Sequence, residues 1–587
     1  MTRAPSGSSA SFALNNRPRL PARWPQWLAG VLGVYIVALL LIRPEDYSDT
    51  FNYAKHLVDQ YDHPPLPQNN PFWDFGHVLW RPMGYVVWRC FGGPLATLFG
   101  GDRLLAAGAA LIALSIVAGL AGAVFMFLLA ARTTRNPSVA AIVTLGYLST
   151  NAILHYQLTG MAYVAGLACQ IAGLYCLQCS IAEGRLTLAR GAVSGLLFAL
   201  SVVTWFPYAL PALGVFCYAA CVRDGDEGPG LRQRAPLLAG LAGGAAAVVM
   251  LVYGCAMLAG HHTSIESLSQ WIAESRYDKL PNRGVLRMLG SMPRGFLSLG
   301  SDPTVWKRML FERRLLSLGG LARTGIWKVA WVYLTLAISV FALARSSWGR
   351  RHLICLFATV LPLAIFAAFL FEATPPERYM PAFPLLFLGF AWILADRRSG
   401  WIAKGILPLF FASALAVNLT ALSRFSEPPE FETARVRVRA LNDRVGPNDC
   451  IVVQSYQDPA VIFVNARPFS PLSKNRFLFY VPVPWGAAHP ELWPRHLAGR
   501  VRGAWKNGGR AWITGRFLAN TPDPAWGWVE GDDPRIRWVD FHAFFEKLDL
   551  GNAFGGADGF SEILRTKGNQ LLFDAASIDL APVPGRP

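Results

Sequence analysis

Long uncharged apolar runs recur through the first 423 residues, separated by short polar segments rich in Lys and Arg. A bilayer core about 30 Å thick needs about 20 apolar residues of helix to cross it. Runs near 24–42, 104–131, 138–156, 160–182, 190–205, 206–222, 235–260, 328–345, 353–371, 379–395 and 403–423 meet that pattern. They predict a multi-span α-helical membrane protein with about 11 transmembrane helices. The stretch 191–222 has no charge over thirty-two residues and is interrupted by WFPYALP. It reads as one long helix or as two short ones hinged at Pro207 and Pro211.

Lys and Arg placement separates these choices. With a cytoplasmic N-terminus and two helices in 191–222, the inner segments are RTTR (132–135), AEGRLTLAR (182–190), RDGDEGPGLRQR (223–234), RSSWGRR (345–351) and DRRSGWIAK (396–404). All are basic-rich, as short cytoplasmic loops are. One helix would turn the last three outward. With two helices, the loops 43–103 and 261–327, the turn FEATPPER (371–378) and the tail 424–587 share the outer, periplasmic side.

The polar ends complete the domain plan. Residues 1–23 are basic and polar and are expected to be a disordered cytoplasmic tail. The first apolar run has no small-residue cleavage site behind it and reads as an uncleaved span of the inner membrane. Beyond the linker FSEPPEFE (425–432), the stretches CIVVQSY (450–456), VIFVNA (461–466) and AWITG (511–515), rich in β-branched and aromatic residues, predict strands, and DFHAFFEKLDL (540–550) predicts a helix. Residues 424–587 are therefore expected to form a small α/β domain.

Composition agrees: 53% of residues are hydrophobic and 16% charged. The net charge of +17 does not indicate nucleic acid, because much of it lies in loops between spans, where insertion bias puts it. Seven of the nine cysteines lie within apolar runs, with no spacing typical of a zinc site or disulfide framework.

Candidate chemistry begins where the first span ends, in RPEDYSDTFNYAKHL (43–57). Glu45, Asp46 and Asp49 fall within five residues. Asp49 and Tyr53 share a helix face, and Phe51, Ala54, Leu57 and Val58 form the apolar side of a short helix lying on the membrane surface. For Asp49 alone, stabilisation by the helix dipole is a sufficient account. The same loop carries His77 and Arg81 in WDFGHVLWRPMGYVVWR (73–89), where a structural histidine and a snorkelling interface anchor are the plain alternatives. Glu377, Arg378 and Tyr379 open a late Pro-rich span in TPPERYMPAFP (374–384). The loop 261–327, taken with its boundary residue Lys328, holds eleven Lys or Arg against five Asp or Glu. Arg276, Lys279, Arg283 and Arg287 lie in it, close to the interface, where positive charge suits a lipid-borne phosphate or anionic head groups.

This layout resembles the GT-C glycosyltransferases, multi-span enzymes that use lipid-phosphate sugars. The carriers are D49-T-F-N-Y53-A54, similar to D-(E/x)-x-x-Y-x-x-A, and E377-R378-Y379-M-P-A-F-P, similar to the opening of a late span in bacterial lipid A and protein mannosylation relatives. The resemblance spans residues 24–423 and implies transfer from a polyprenyl-phosphate sugar to an acceptor hydroxyl on the outer face, with inversion. It implies an acidic base after the first span: Asp49 first, then Asp46 or Glu45, with His77 as a further catalytic candidate. Arg378, Arg81 and the four basic residues of the mid-chain loop are the candidate phosphate ligands; Tyr53, Glu377 and Tyr379 complete the site. Thr50 stands where relatives often carry a second acid, so both the choice of base and the presence of a divalent cation stay open. The expected partners are the bilayer, the lipid-linked donor and a glycan, lipid or protein acceptor.

Two rivals remain. A transporter or flippase places ionisable groups inside its spans, whereas these spans are nearly free of charge. A non-catalytic scaffold with a carbohydrate-binding tail would use tail tryptophans such as Trp485 and Trp526 for stacking, although core packing is the better account of most of them.

Overall fold

The computed structural model describes residues 23–42, 48–62, 72–101, 103–222, 230–274, 284–299, 325–371, 373, 375–396 and 398–423, and in the tail 450–453, 477–480, 503, 506–508, 511–514 and 580–582. Residues 1–22 and the tail segments 461–466 and 540–550 lie outside them.

The first helix, α1 (Trp24–Leu41), shows how composition becomes packing. Val31, Tyr35 and Ala38 are buried, at helical spacing, on one face. Val34, Val37 and Leu40 on the other face are exposed. An apolar helix with only one face covered by protein is what a lipid-facing segment requires. Two amphipathic helices follow: α2 (Ser48–Asp62) and α3 (Trp80–Leu98). Residues 80–98, expected within the outer loop 43–103, form helix α3; their arginines and Pro94 interrupt the apolar pattern of the sequence. Arg81, Gly84 and Trp88 now form its buried face.

The centre of the bundle comprises α4 (Arg103–Thr134), α5 (Pro137–Leu148), α6 (Asn151–Gln157) and α7 (Tyr163–Ala182). Helix α7 is buried on nearly every side. Helices α5 and α6 replace the single span expected over 138–156; the chain bends by 65° between them. Backbone groups freed by a break inside an apolar bundle must find partners, and they do. Asn418 Nδ2 donates to the Ser149 carbonyl at 2.8 Å, and the Asn151 amide donates to the Phe296 carbonyl at 3.0 Å.

The stretch 191–222 does divide. Helix α8 (Leu188–Thr204) ends before a tight turn, Phe206–Ala209, and α9 (Ala212–Cys221) continues. Helix α8 packs on α10 (Leu231–Ala259) with the backbones in contact. A Cβ at Gly191, Gly195, Gly240 or Gly244 would collide with main-chain atoms of the opposite helix. Small residues permit this approach where lipid supplies no hydrophobic drive between helices.

Helices α11 (Ile265–Glu274) and α12 (Val285–Ser291) lie within the mid-chain basic segment. The bundle then closes with α13 (Ile326–Ala344), α14 (Ser347–Ile365), α15 (Phe383–Ala395) and α16 (Trp401–Leu422). Among the described residues, eight helical segments are long and apolar enough to cross a membrane, or nine with the bent α5–α6 pair; α8 and Phe206–Cys221 are shorter apolar helices. The chain is a helical integral membrane protein.

Two contacts join distant parts at the ends of the bundle. Ile42 and Ser423 form an antiparallel bridge, so the first and last apolar helices finish side by side. Elsewhere, Arg132 and Glu183 pair at 3.0 Å, with Arg185 and Arg190 within 4 Å of the same carboxylate. These come from two of the segments expected to be cytoplasmic.

In the tail, β1 (Cys450–Val453), β2 (Phe477–Tyr480), β3 (Ala511–Thr514) and β4 (Leu580–Pro582) form one sheet in the order β2-β1-β3-β4. Strand β1 is parallel to β2 and β3, and β4 is antiparallel to β3. Strands β1 and β3 match the expected CIVV and AWIT; β2 and β4 are additional to the expected strands.

Candidate active site

The site forms where α2, the turn before α3, the α6–α7 junction and the approach to α15 meet. Helix α2 buries Ala54, Leu57 and Val58, three of the four residues expected on its apolar side, together with Tyr53; this side packs into the protein instead of lying on the membrane surface. The α6–α7 junction clamps it there. The Thr50 hydroxyl donates to the Thr159 carbonyl, and the Trp80 indole N–H donates to the Gly160 carbonyl at 3.1 Å. Gly160 has φ of +70°, and a Cβ there would press on Leu111. A glycine is required on both counts. Asp49 occupies the first turn of α2; Glu45 and Asp46 lie outside the described residues.

The turn before α3 is a rigid platform. The Trp271 indole N–H donates to the Trp73 carbonyl at 2.6 Å, the Tyr253 hydroxyl to the Phe75 carbonyl at 3.1 Å, and the Leu79 amide to the Val203 carbonyl at 2.9 Å. Three separate helices thus fix the backbone around Asp74. The Asp74 carboxylate accepts the Gly76 amide at 3.0 Å through Oδ1. Its Oδ2 lies 3.1 Å from His77 Nδ1 and 3.4 Å from the Arg81 guanidinium. Burial alone would raise the Asp74 pKa. Arg81, the His77 hydrogen bond and the Gly76 amide outweigh it and hold the carboxyl well below its ordinary range. Arg81 also lies over the Tyr53 ring, 4.7 Å from its centroid. His77 and Arg81, paired by spacing in the sequence, therefore meet on one carboxylate, Asp74, which is not among the expected site residues. The pattern D-F-G-H held the clue, since an Asp two residues before Gly caps a turn.

An aromatic wall connects this platform to the late span. Tyr163 lies 6.1 Å from the His77 ring, 4.8 Å from Tyr156 and 4.6 Å from Trp205, centroid to centroid. The Tyr208 hydroxyl holds the Tyr163 carbonyl at 2.6 Å. At the far end, the Arg378 guanidinium lies 4.3 Å from the Phe371 ring and 5.4 Å from Trp205. It pairs with Glu377 at 3.3 Å, and Glu377 also accepts a short hydrogen bond from the Tyr156 hydroxyl. Both charged residues are buried. The Tyr379 hydroxyl donates to the Ala373 carbonyl at 2.7 Å. That bond shapes the turn and gives Tyr379 a structural part.

The structure thus brings His77, Arg81, Tyr53, Glu377 and Arg378 to one end of the bundle and adds Asp74, Tyr156, Tyr163 and Trp205. The last three sit in apolar runs; the only advance signal was Gly160 and the polar break around it. Arg287 lies on α12, whereas Arg276, Lys279 and Arg283 fall outside the described residues. Among the described residues, no group of three His, Cys, Asp or Glu is placed to hold a metal ion.

No family model and no curated protein matches the chain. Solved structures do. An Archaeoglobus fulgidus oligosaccharyltransferase tethered to an acceptor peptide is 11% identical, with 86% of this chain and 71% of that one covered at a TM-score of 0.48. ArnT from Cupriavidus metallidurans bound to undecaprenyl phosphate is 15% identical, with 84% and 94% covered at a TM-score of 0.46. In its apo state, ArnT gives 14% identity and a TM-score of 0.48 over the same shares.

Proposed function

We propose that this chain is a GT-C-type glycosyltransferase that moves a sugar from a polyprenyl-phosphate donor to an acceptor hydroxyl on the outer face of the membrane. One observation carries the reading: a buried arginine, Arg378, is joined by a continuous aromatic wall to the Asp74–His77–Arg81 platform, beside the helix that bears Asp49. Guanidinium groups suit a phosphate leaving group because they match its geometry and stabilise the charge that develops on it. Arg378 takes that part, with Arg81 and Arg287 assisting and Arg276, Lys279 and Arg283 supplying further positive charge. Aromatic rings offer a sugar apolar C–H faces to stack on. A carboxylate then takes the proton of the attacking hydroxyl, a contribution worth roughly 10²–10⁴-fold. Asp49 is the first choice, followed by Asp46 and Glu45. Direct displacement inverts the anomeric centre.

The Ile42–Ser423 bridge supports an arrangement in which the first loop and the tail leave from the same, outer side. Residues 424–587 then form an extracytoplasmic α/β domain around the four-stranded sheet, and the basic segments at 132–135 and 182–190 face the cytoplasm of a bacterial inner membrane.

The test uses the full chain in nanodiscs with a panel of radiolabelled undecaprenyl-phosphate sugars. Wild type is expected to release or transfer the sugar; Asp49→Asn is expected to bind donor but not turn it over. Full activity in Asp49→Asn moves the base to Asp46 or Glu45. Absence of turnover with every donor sinks the transferase reading.

A further inference from the structure

His77 is held by one ring nitrogen only. Its Nδ1 lies 3.1 Å from Asp74 Oδ2, and an ionised carboxylate has no proton to give, so Nδ1 carries the hydrogen. In the uncharged ring the other nitrogen, Nε2, is then a bare acceptor. That atom is buried and has no hydrogen-bond partner among the described residues. Buried polar atoms are seldom left so, least of all on a turn whose backbone three other helices fix. The Tyr53 hydroxyl, 3.5 Å away, lies on the Nδ1 side and does not serve Nε2. The Tyr163 ring, 6.1 Å from the imidazole, starts the aromatic wall on which a sugar would rest.

Resting on the transferase reading above, we infer that Asp74 is a positioning residue that locks His77 with Nε2 bare, and that Nε2 receives a hydroxyl of the donor sugar. The tautomer selects the ligand. A bare nitrogen accepts from an O–H group and repels an anionic phosphate oxygen, so the site distinguishes a sugar-bearing lipid from the sugar-free lipid phosphate. Arg81 and Arg378 hold the phosphate; His77 reads the sugar.

Binding of two probes to the full chain in nanodiscs tests this without any acceptor: an undecaprenyl-phosphate sugar found to be a substrate, and undecaprenyl phosphate alone. Asp74→Asn keeps the turn cap and the shape but no longer forces the proton onto Nδ1. His77→Gln leaves the Asp74–Arg81 pair intact, which covers the case in which Asp74→Asn fails to fold. Both variants are expected to lose about tenfold of the preference for the sugar-bearing over the sugar-free lipid, the loss typical of one hydrogen bond to a buried group. His77→Gln, with the Asp74–Arg81 pair intact, is expected to bind sugar-free lipid as wild type does. Equal loss for both lipids would make His77 a structural or phosphate group and overturn the inference, as would unchanged binding of both. If wild type itself turns over no lipid-linked sugar, the transferase reading fails first. That outcome is distinct from an active wild type whose variants keep the preference.

Discussion

The Tyr156 hydroxyl donates a hydrogen bond to the Glu377 carboxylate, across 221 residues of chain. Together with Arg378 at 3.3 Å, it makes a buried charge pair tolerable. Removing one partner of such a set exposes the desolvation cost of the others. Tyr156→Phe is therefore expected to destabilise the protein by about 1–3 kcal/mol, and Arg378→Ala by about 3–5 kcal/mol. Apparent melting temperature in detergent checks the order. Equal melting of Tyr156→Phe and wild type would remove the hydroxyl from the account.

Arg378 does more than balance Glu377 if the transferase reading holds. Its guanidinium lies 4.3 Å from the Phe371 ring centroid and 5.4 Å from that of Trp205, a contact with two rings that a lysine does not imitate. Arg378→Lys is expected to preserve most of the stability and to weaken donor binding about tenfold. Titration with undecaprenyl phosphate measures it; unaltered affinity would place the phosphate elsewhere.

Acid is expected to loosen α2. Burial first, then the charges of Arg81 and Lys55, push His56 from 6.5 down to about 3, against an opposing pull from Asp74. The folded state therefore binds fewer protons than the unfolded chain between these values. The stability His56 allows is complete above pH 6.5 and is lost as pH falls toward 3, by up to about 1.4 kcal/mol per unit. Asp74, also held low, adds its loss only below the ordinary carboxylate range. Melting followed from pH 7.5 to 5 should fall for wild type and flatten in His56→Gln; parallel curves would refute the assignment.

The α8–α10 contact supplies an internal control. A Cβ at Gly240 meets the backbone of α8, whereas one at Gly243, on the same helix, meets nothing within 4 Å. Gly240→Ala should lower the melting temperature by several degrees and Gly243→Ala should not. Similar effects at both positions would show that helix propensity dominates, not close approach.

Most of the helical framework was legible because membrane helices are written as uninterrupted apolar runs, and WFPYALP was long enough to show a division. The bend at Ser149–Thr150 was not, because the groups that satisfy it, Asn418 and Phe296, are distant in sequence. Helix α3 was hidden by Arg81 and Arg89, which look like loop residues until Tyr53, Asp74 and Tyr61 are found beside them. Within the site, residues that bear charge stood out in an apolar chain. The tyrosines did not, since nothing in a hydrophobic run separates a core ring from one that lines a pocket.

The bridge between Ile42 and Ser423 also bears on how the protein comes into being. During synthesis α1 emerges first and α16 last of the described apolar helices, so the exit of α1 cannot gain its neighbour until almost the whole membrane region has left the ribosome. Contacts that close so late in chain order form slowly and leave earlier intermediates unshielded. A chain stopped before residue 401 would insert its first helices yet lack the partner beside Ile42. Quality control that senses an unpaired α1 would then read completeness of the whole membrane region from a single position.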